Sequence, residues 1–142
     1  MKLTIAASVL FASGLMLVGL RAQATRSVWD GVYTPDQAKR GDTAYAKDCA
    51  SCHGSALTGG ESAPPLAGGD FLSNWNGLTV GDLFDRFRTT MPADRPGGLN
   101  RERYSDILAY VLSMNQFPPG KSELEHQSEI LKQIRIEPSK AN

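Results

Sequence analysis

The chain has 142 residues, which suits one small domain, and its 15 basic and 15 acidic residues give a formal charge of zero. No block of like charge stands out, and nucleic-acid binding requires a basic face, so no nucleic-acid partner is expected. Two cysteines at C-x-x-C spacing cannot form the disulfide framework of a whole domain.

The N-terminus has the pattern of a secretory signal peptide. Lys2 supplies a positive start, residues 3–20 are apolar and almost uncharged, and residues 22–24 (Ala-Gln-Ala) have the small-x-small pattern of a cleavage site. We therefore predict a signal peptide over residues 1–24; its removal takes away Lys2 and Arg21 and leaves 13 basic and 15 acidic residues, a formal charge of −2. The apolar stretch also reaches the lower limit of roughly 18 residues for a span, so an uncleaved membrane anchor is the alternative.

The first helix is predicted to begin at Thr34, after an N-terminal extension over residues 25–33. Residues 34–37 (Thr-Pro-Asp-Gln) form a capping-box pattern with proline at the first helical position. One face of this helix then carries residues at spacings of three and four and reaches the first cysteine: Ala38, Gly41, Tyr45 and Cys49. The helix therefore leads its inner face into the cysteine pair.

Residues 54–77 are rich in Gly, Pro, Ser and Asn, which predicts a loop. Large apolar residues recur along it, so we expect an ordered loop wrapped around something apolar rather than a linker. These residues are Leu57, Leu66, Phe71, Leu72 and Trp75.

A second long helix is predicted to follow Thr79, which caps it together with Asp82. It should end before Met91, because Pro92 pushes the preceding residue out of the helical region. Its inner stripe is Val80, Leu83, Phe84 and Phe87.

The third long helix is predicted to begin after Asn100 and to present Tyr104, Ile107, Leu108 and Val111 inward. Pro118-Pro119-Gly120 ends this unit, which gives a domain over residues 34–120 and an all-α fold with three main helices. The tail over residues 121–142 is polar, with apolar anchors at Leu131, Ile134 and Ile136. It is either a short helix followed by an extended strip on the domain or a partly disordered segment.

The sequence C-A-S-C-H over residues 49–53 carries the chemistry. Two thiols at this spacing can bond to the two vinyl groups of one haem edge, and the adjacent His53 then lies against the iron. A structural zinc site would need four ligands, and Cys49, Cys52 and His53 have only the distant His126 to complete the set. A redox dithiol usually opens a helix in a βαβ pattern, whereas this pair closes a helix. Covalent attachment of one haem c is therefore the favoured interpretation.

Met91 is the best candidate for the second axial ligand, because it lies on a loop that Pro92 stiffens. Met114 and His126 are the rivals, and Met91 as a mere packing residue is the further alternative. A soft thioether stabilises ferrous iron and raises the potential relative to two histidines. With both axial positions filled, the protein would be an electron carrier and not an enzyme; a haem peroxidase or ligand-binding cytochrome with displaceable Met91 and a haem-free thiol oxidoreductase are the alternatives.

Over roughly residues 34–115 the chain resembles class I c-type cytochromes. In that family a glycine and an aromatic residue one turn apart on the first helix cross the last helix closely. Gly41 and Tyr45 match that pair, and Ile107 and Tyr110 resemble their partners.

The resemblance also implies roles for the loop. Pro64 would supply the carbonyl that accepts the free ring proton of the histidine ligand, and Leu66 would contact haem. Trp75 resembles the family's propionate-bonding tryptophan, with simple core packing as the alternative. Arg86 and Arg88 are candidates for neutralising a propionate, with solvent exposure as the alternative.

A narrower resemblance is to exported bacterial cytochromes found beside or fused to quinoprotein dehydrogenases. It is carried by residues 33–41 (Y-T-P-D-Q-A-K-R-G), 91–99 (M-P-A-D-R-P-G-G-L) and 131–138 (L-K-Q-I-R-I-E-P). It suggests a dehydrogenase, such as a quinoprotein, as the electron donor. With the signal-peptide pattern, the prediction is a periplasmic carrier between a dehydrogenase or membrane complex and an oxidase, with membrane contact only if the signal segment is retained. The lysine-rich face of mitochondrial cytochrome c is absent, so docking is expected at an apolar rim of Ala50, Ala56, Leu57 and Pro92.

Overall fold

The computed structural model describes residues 26–140, and the predicted signal peptide over residues 1–24 lies outside them. The regular secondary structure of the described chain is almost entirely helical, which confirms the all-α prediction. In order, its elements are β1 (Arg26–Ser27), a one-turn 3₁₀ helix (Val28–Asp30), α1 (Pro35–Asp48), α2 (Ala50–His53), α3 (Gly69–Trp75), α4 (Val80–Thr90), α5 (Arg101–Met114), α6 (Ser128–Leu131) and β2 (Ile134–Arg135).

Helix α1 begins as predicted, since the Thr34 side chain accepts a hydrogen bond from the Gln37 amide. The other half of the capping box is wrong. The Gln37 side chain is buried and bonds the backbone of Leu124 instead, donating to its carbonyl at 3.0 Å and accepting from its amide at 2.6 Å. A buried amide must find partners, and the tail supplies them here.

Helices α1 and α5 cross at Gly41 because no side chain fits there. A Cβ atom on Gly41 would lie 1.9 Å from the Asp106 carbonyl oxygen and 2.8 Å from the Tyr110 Cβ. Tyr110 is therefore a partner of Gly41 as expected, whereas the backbone against the glycine belongs to Asp106 rather than to Ile107. The rings of Tyr45 and Tyr110 pack 5.4 Å apart beside this contact.

Helix α4 matches its prediction at both ends. Thr79 and Asp82 form a reciprocal capping box, and Met91 leaves the helix with extended backbone angles of φ −123° and ψ 154°. The loop prediction for residues 54–77 is only partly right, because α3 (Gly69–Trp75) forms inside it and buries Phe71. This helix was not predicted because Gly68 and Gly69 at its start are typical of a loop.

The tail lies on the domain, so the first of its two predicted alternatives is correct. Leu131 and Ile136 are fully buried, and β2 pairs in parallel with β1. The Ser128 hydroxyl donates to the Asp85 carboxylate at 2.6 Å and joins α6 to α4. Within residues 26–140, no helix has both the length and the hydropathy needed to cross a membrane.

Candidate functional site

The attachment segment, residues 49–53, is presented by the end of α1 and by α2. Cys49 leaves the α1 geometry at φ −131° and ψ −34°, and the chain turns again so that the His53 amide donates to the Cys49 carbonyl at 3.0 Å. The Tyr45 hydroxyl donates to the carbonyl of Gly54 at 2.7 Å and holds the far end of α2. Cys49 is half-buried, Cys52 is exposed and both are free thiols. The two thiols, the only cysteines in the sequence, therefore lie together at the C-terminal end of α1.

The ring of His53 is buried and fixed by Pro64. Its Nδ1 atom lies 2.8 Å from the Pro64 carbonyl oxygen, and the residue is 6% exposed. A carbonyl only accepts, so the proton sits on Nδ1 and the lone pair of Nε2 is left for another partner. The contact expected at Pro64 is therefore present, in the tautomer that suits a metal ligand.

The loop that carries Pro64 is held from two sides. The Leu66 amide donates to the Leu57 carbonyl at 2.8 Å, and Leu66 itself is buried. The buried Asn115, which follows α5, donates to the Leu66 carbonyl and accepts from the Gly68 amide, each at 3.0 Å. The sequence did not indicate this role of Asn115, because Gly68 and Leu66 lie 47 and 49 positions earlier in the chain.

Met91 begins the Met91 loop, residues 91–99, which joins α4 to α5. Its carbonyl accepts a hydrogen bond of 2.6 Å from the hydroxyl of Tyr104, a residue only 2% exposed. The same hydroxyl accepts from the Leu99 amide at 3.4 Å. One buried side chain on α5 thus holds both ends of the loop. The sequence placed Tyr104 in the core stripe but did not indicate this second role.

Asp48, the last residue of α1, joins the attachment segment to the Met91 loop. Its side chain is 2% exposed and accepts from Arg95 at 2.5 Å through one oxygen and from Arg103 at 2.8 Å through the other. Arg95 lies in the Met91 loop and Arg103 lies on α5. No sequence signal indicated this cluster, because Arg95 and Arg103 follow Asp48 by 47 and 55 residues.

The environment of Cys49 does not suit a reactive thiol. Burial raises the pKa of the Cys49 thiol to about 11, and the Asp48 carboxylate adds to the rise. A reactive cysteine needs a lowered pKa, because the thiolate is the nucleophile. Among residues 26–140 there is also no cluster of three or more His, Cys, Asp or Glu side chains suited to a metal ion.

The remaining predictions concern the candidate propionate residues and the expected apolar rim. Trp75 is half-buried, packs 6.4 Å from the Phe71 ring, and its indole makes no hydrogen bond to the described chain. Arg88 is half-buried and Arg86 is exposed. Of the expected apolar rim, Ala56 is exposed and Ala50 half-exposed, but Leu57 and Pro92 are buried and that part of the prediction is wrong.

The rival ligands lie in other surroundings. Met114 is 38% exposed at the end of α5. His126 lies in the tail, where its Nε2 is 3.7 Å from the Glu102 carboxylate, beside a cavity of about 180 Å³ between α1, α5 and the tail. Neither residue shares a hydrogen bond with the attachment segment or with the Met91 loop in the described structure.

The residues present fit a covalently attached haem. Two free thiols and the Nε2 lone pair of a buried histidine stand within five residues. The Arg88 Nε atom is buried and has no hydrogen-bond partner between residues 26 and 140, which is the state expected of a donor meant for a group outside the polypeptide. Arg88 lies one turn before Met91 on α4.

Two comparisons with known proteins give matches. The model of a family described as cytochrome c oxidase, cbb3-type, subunit III matches residues 36–111, more than half of the chain. Among solved structures, the chain is similar to the sulfane dehydrogenase SoxCD from Paracoccus pantotrophus, with 24% identity and a TM-score of 0.49 over 76% of this chain and 61% of that one. The chain therefore spans less than two thirds of the length of that protein. No curated protein sequence matches.

Proposed function

The chain belongs to the c-type cytochrome family described as cytochrome c oxidase, cbb3-type, subunit III, and from this premise we propose that it is a one-electron carrier with His53 and Met91 as axial ligands. The family carries covalent haem c and transfers electrons through it. The proposal adds that Cys49 and Cys52 attach the haem and that His53 and Met91 bind its iron. It also holds that the domain transfers electrons without acting as an enzyme.

The hydrogen bond between His53 Nδ1 and the Pro64 carbonyl carries the proposal. It selects the tautomer with a free Nε2, fixes the plane of the ring and makes the ring more basic, as the partner of a metal-binding histidine does. Because the buried His53 directly follows Cys52 in the chain, a group bound to the two thiols would have this nitrogen close by as a protein ligand.

When bound, haem c supplies a one-electron couple at its iron. The side chains of this protein would then hold and shield it. Tyr104 would hold the Met91 backbone and Leu66 would offer apolar contact. Trp75 would bond to a propionate, and Arg88 would donate to a propionate through its unpartnered Nε. A propionate bound to Arg88 would satisfy a buried donor that costs free energy when unpaired.

The Met91→Leu variant tests the ligand assignment, with Met114→Leu as the matched control. In the oxidised protein, Met91→Leu is expected to lose the sulfur-to-iron charge-transfer band in the red region. It should also lower the potential by on the order of 0.1 V, because the thioether stabilises ferrous iron. Met114 is exposed at the end of α5, so Met114→Leu should keep both properties. Absorption spectra and redox titrations measure them.

A Met91→Leu spectrum and potential equal to those of the wild type would show that Met91 is not the ligand. Addition of azide or peroxide to the oxidised wild type addresses the enzyme alternative. A carrier with a firmly held thioether keeps its band under these conditions, whereas a peroxidase or ligand-binding cytochrome loses it.

We further propose that the protein works in the periplasm, taking electrons from a dehydrogenase, such as a quinoprotein, or from a membrane complex, and passing them to an oxidase. The signal-peptide pattern of residues 1–24 and the spelling of residues 33–41 and 91–99 support this proposal. Carrier contacts are weak and small, and Ala50 and Ala56 remain as candidate rim residues. Haem staining of periplasmic and membrane fractions tests the location, and a haem-stained band retained in the membrane would contradict cleavage.

A further inference from the structure

The Met91 loop has few attachments of its own. Residues 93–98 are all exposed, and two of the backbone hydrogen bonds there, from Arg95 to Pro92 and from Gly98 to Arg95, stay inside the loop. The Tyr104 hydroxyl holds its two ends. Between those ends, the side-chain tie to the rest of the domain is the bond from Arg95 to Asp48.

Asp48 is built as an acceptor for two cations. Both oxygens are engaged, one by Arg95 and one by Arg103, and the side chain is almost completely buried. Charge-assisted hydrogen bonds of this kind are shorter and stronger than neutral ones. Arg103 keeps the carboxylate paired from α5, so the bond to Arg95 can break without leaving a buried charge alone.

The position of Asp48 in the chain gives that bond a consequence. It directly precedes Cys49, whereas Arg95 follows Met91 by four residues. The pair therefore ties the segment that presents His53 to the loop that presents Met91.

We propose that Asp48 is a positioning residue that holds the Met91 loop against the attachment segment through Arg95 and so limits the release of Met91 from iron. The inference rests on the proposed function, since it takes Met91 as the ligand. In this inference Asp48 acts through Arg95 and is not itself a ligand of the iron. Its effect is on how easily another ligand replaces the thioether.

Imidazole titration of the oxidised holoprotein, followed by the charge-transfer band, measures this replacement. Arg95→Gln should raise the affinity for imidazole about fivefold, the effect of a partly exposed ion pair. Arg95→Lys keeps the cation and should restore the affinity to within about twofold of the wild type. Asp48→Asn weakens both bonds and should raise the affinity more than Arg95→Gln, with a loss of global stability because Arg103 loses its charged partner.

Arg40→Gln is the matched control. Arg40 on α1 pairs with Asp106 on α5 at 2.9 Å. Arg40→Gln therefore removes an ion pair between α1 and α5, the helices that carry Asp48 and Arg103, and leaves the Met91 loop unchanged. Imidazole affinity should stay at the wild-type value. An equal rise in Arg40→Gln and Arg95→Gln would mean general loosening of the helix pair and would overturn the inference.

Two other outcomes would also overturn it. Unchanged imidazole affinity in Arg95→Gln, with the band intact in the wild type, would leave the proposed function standing and remove the role of Asp48. A wild-type protein without the band would remove Met91 as ligand and this inference with it. Arg95 is 47% exposed on its side chain, so Arg95→Gln is expected to fold even if Asp48→Asn does not.

Discussion

Tyr104 serves the Met91 loop through its hydroxyl and the core through its ring. The ring packs edge-on to Phe84 at 6.4 Å, while the hydroxyl donates to the Met91 carbonyl at 2.6 Å. Tyr33 offers a comparison, because its hydroxyl donates to the Phe117 carbonyl at the same distance and burial raises its pKa. Two buried tyrosines thus make the same kind of bond, and only one of them touches the loop.

Tyr104→Phe and Tyr33→Phe should therefore separate loop anchoring from general stability. Each leaves a carbonyl without its donor, so each should lower the free energy of unfolding by about 1–3 kcal/mol, measured by denaturant titration of the holoprotein. Imidazole should bind more tightly to Tyr104→Phe and with wild-type affinity to Tyr33→Phe. Equal imidazole affinities in the two variants would argue against a specific hold of Tyr104 on Met91.

For single residues, the sequence predicts those positions that depend on neighbouring residues in the chain. His53 follows the cysteines directly, and Pro92 excludes its neighbour Met91 from the helical region, so both positions can be inferred from adjacent residues. Asp48 pairs with Arg95, which is 47 residues away, and Gln37 bonds Leu124, which is 87 residues away. Pairings of this kind depend on how the helices cross, which residue patterns alone do not encode.

The crossing of α1 and α5 depends on one missing side chain. Because a Cβ atom on Gly41 would lie 1.9 Å from the Asp106 carbonyl oxygen, the helices must separate to admit it. Backbone cannot rotate aside as a flexible side chain does. The approach of these two helices also sets the position of Asp48 relative to Arg103.

Gly41→Ala should lower the free energy of unfolding by about 3 kcal/mol, at the upper end of the cost of overpacking. Gly69→Ala is the control, since no atom lies within 4 Å of a Cβ there and alanine favours the helix. It should be neutral or stabilising by up to about 1 kcal/mol. Denaturant titration of both variants measures the difference, and similar values would show that the Gly41 contact is softer than its distances indicate.

Elements were predicted where capping and periodicity agree. Helix α4 shows this best, because Thr79 and Asp82 mark its start and Pro92 marks its end. Helix α3 was missed because Gly68 and Gly69 at its start and Ser73 and Asn74 within it are typical of loops. It forms because Phe71 is buried, a tertiary effect that outweighs weak local propensity.

The whole domain is closed by its tail. The Trp29 indole donates to the Glu137 carbonyl at 3.0 Å, and its ring packs 5.1 Å from Phe117. The tail also buries four apolar side chains of its own: Leu124, Leu131, Ile134 and Ile136. The tail is thus part of the hydrophobic core, which its polar composition conceals.

Leu131→Ala and Ile130→Ala test this directly on adjacent residues. Leu131 is fully buried, so its truncation should lower the free energy of unfolding by about 2–5 kcal/mol. Ile130 is 40% exposed, and Ile130→Ala should cost well under half as much. Thermal unfolding of the holoprotein compares them, and a tail that is only loosely attached would give two small and similar effects.

The pairing of β1 with β2 imposes an order on the folding of a chain that is made from its N-terminus. Arg26 and Ser27 pair with Ile134 and Arg135, so this contact waits until almost the last described residue has been synthesised. Helices α1 and α5 can meet earlier, because both are complete by residue 114. During the interval Trp29 lacks its hydrogen bond to Glu137, so the start of the domain stays open to misassembly until β2 and Glu137 have emerged.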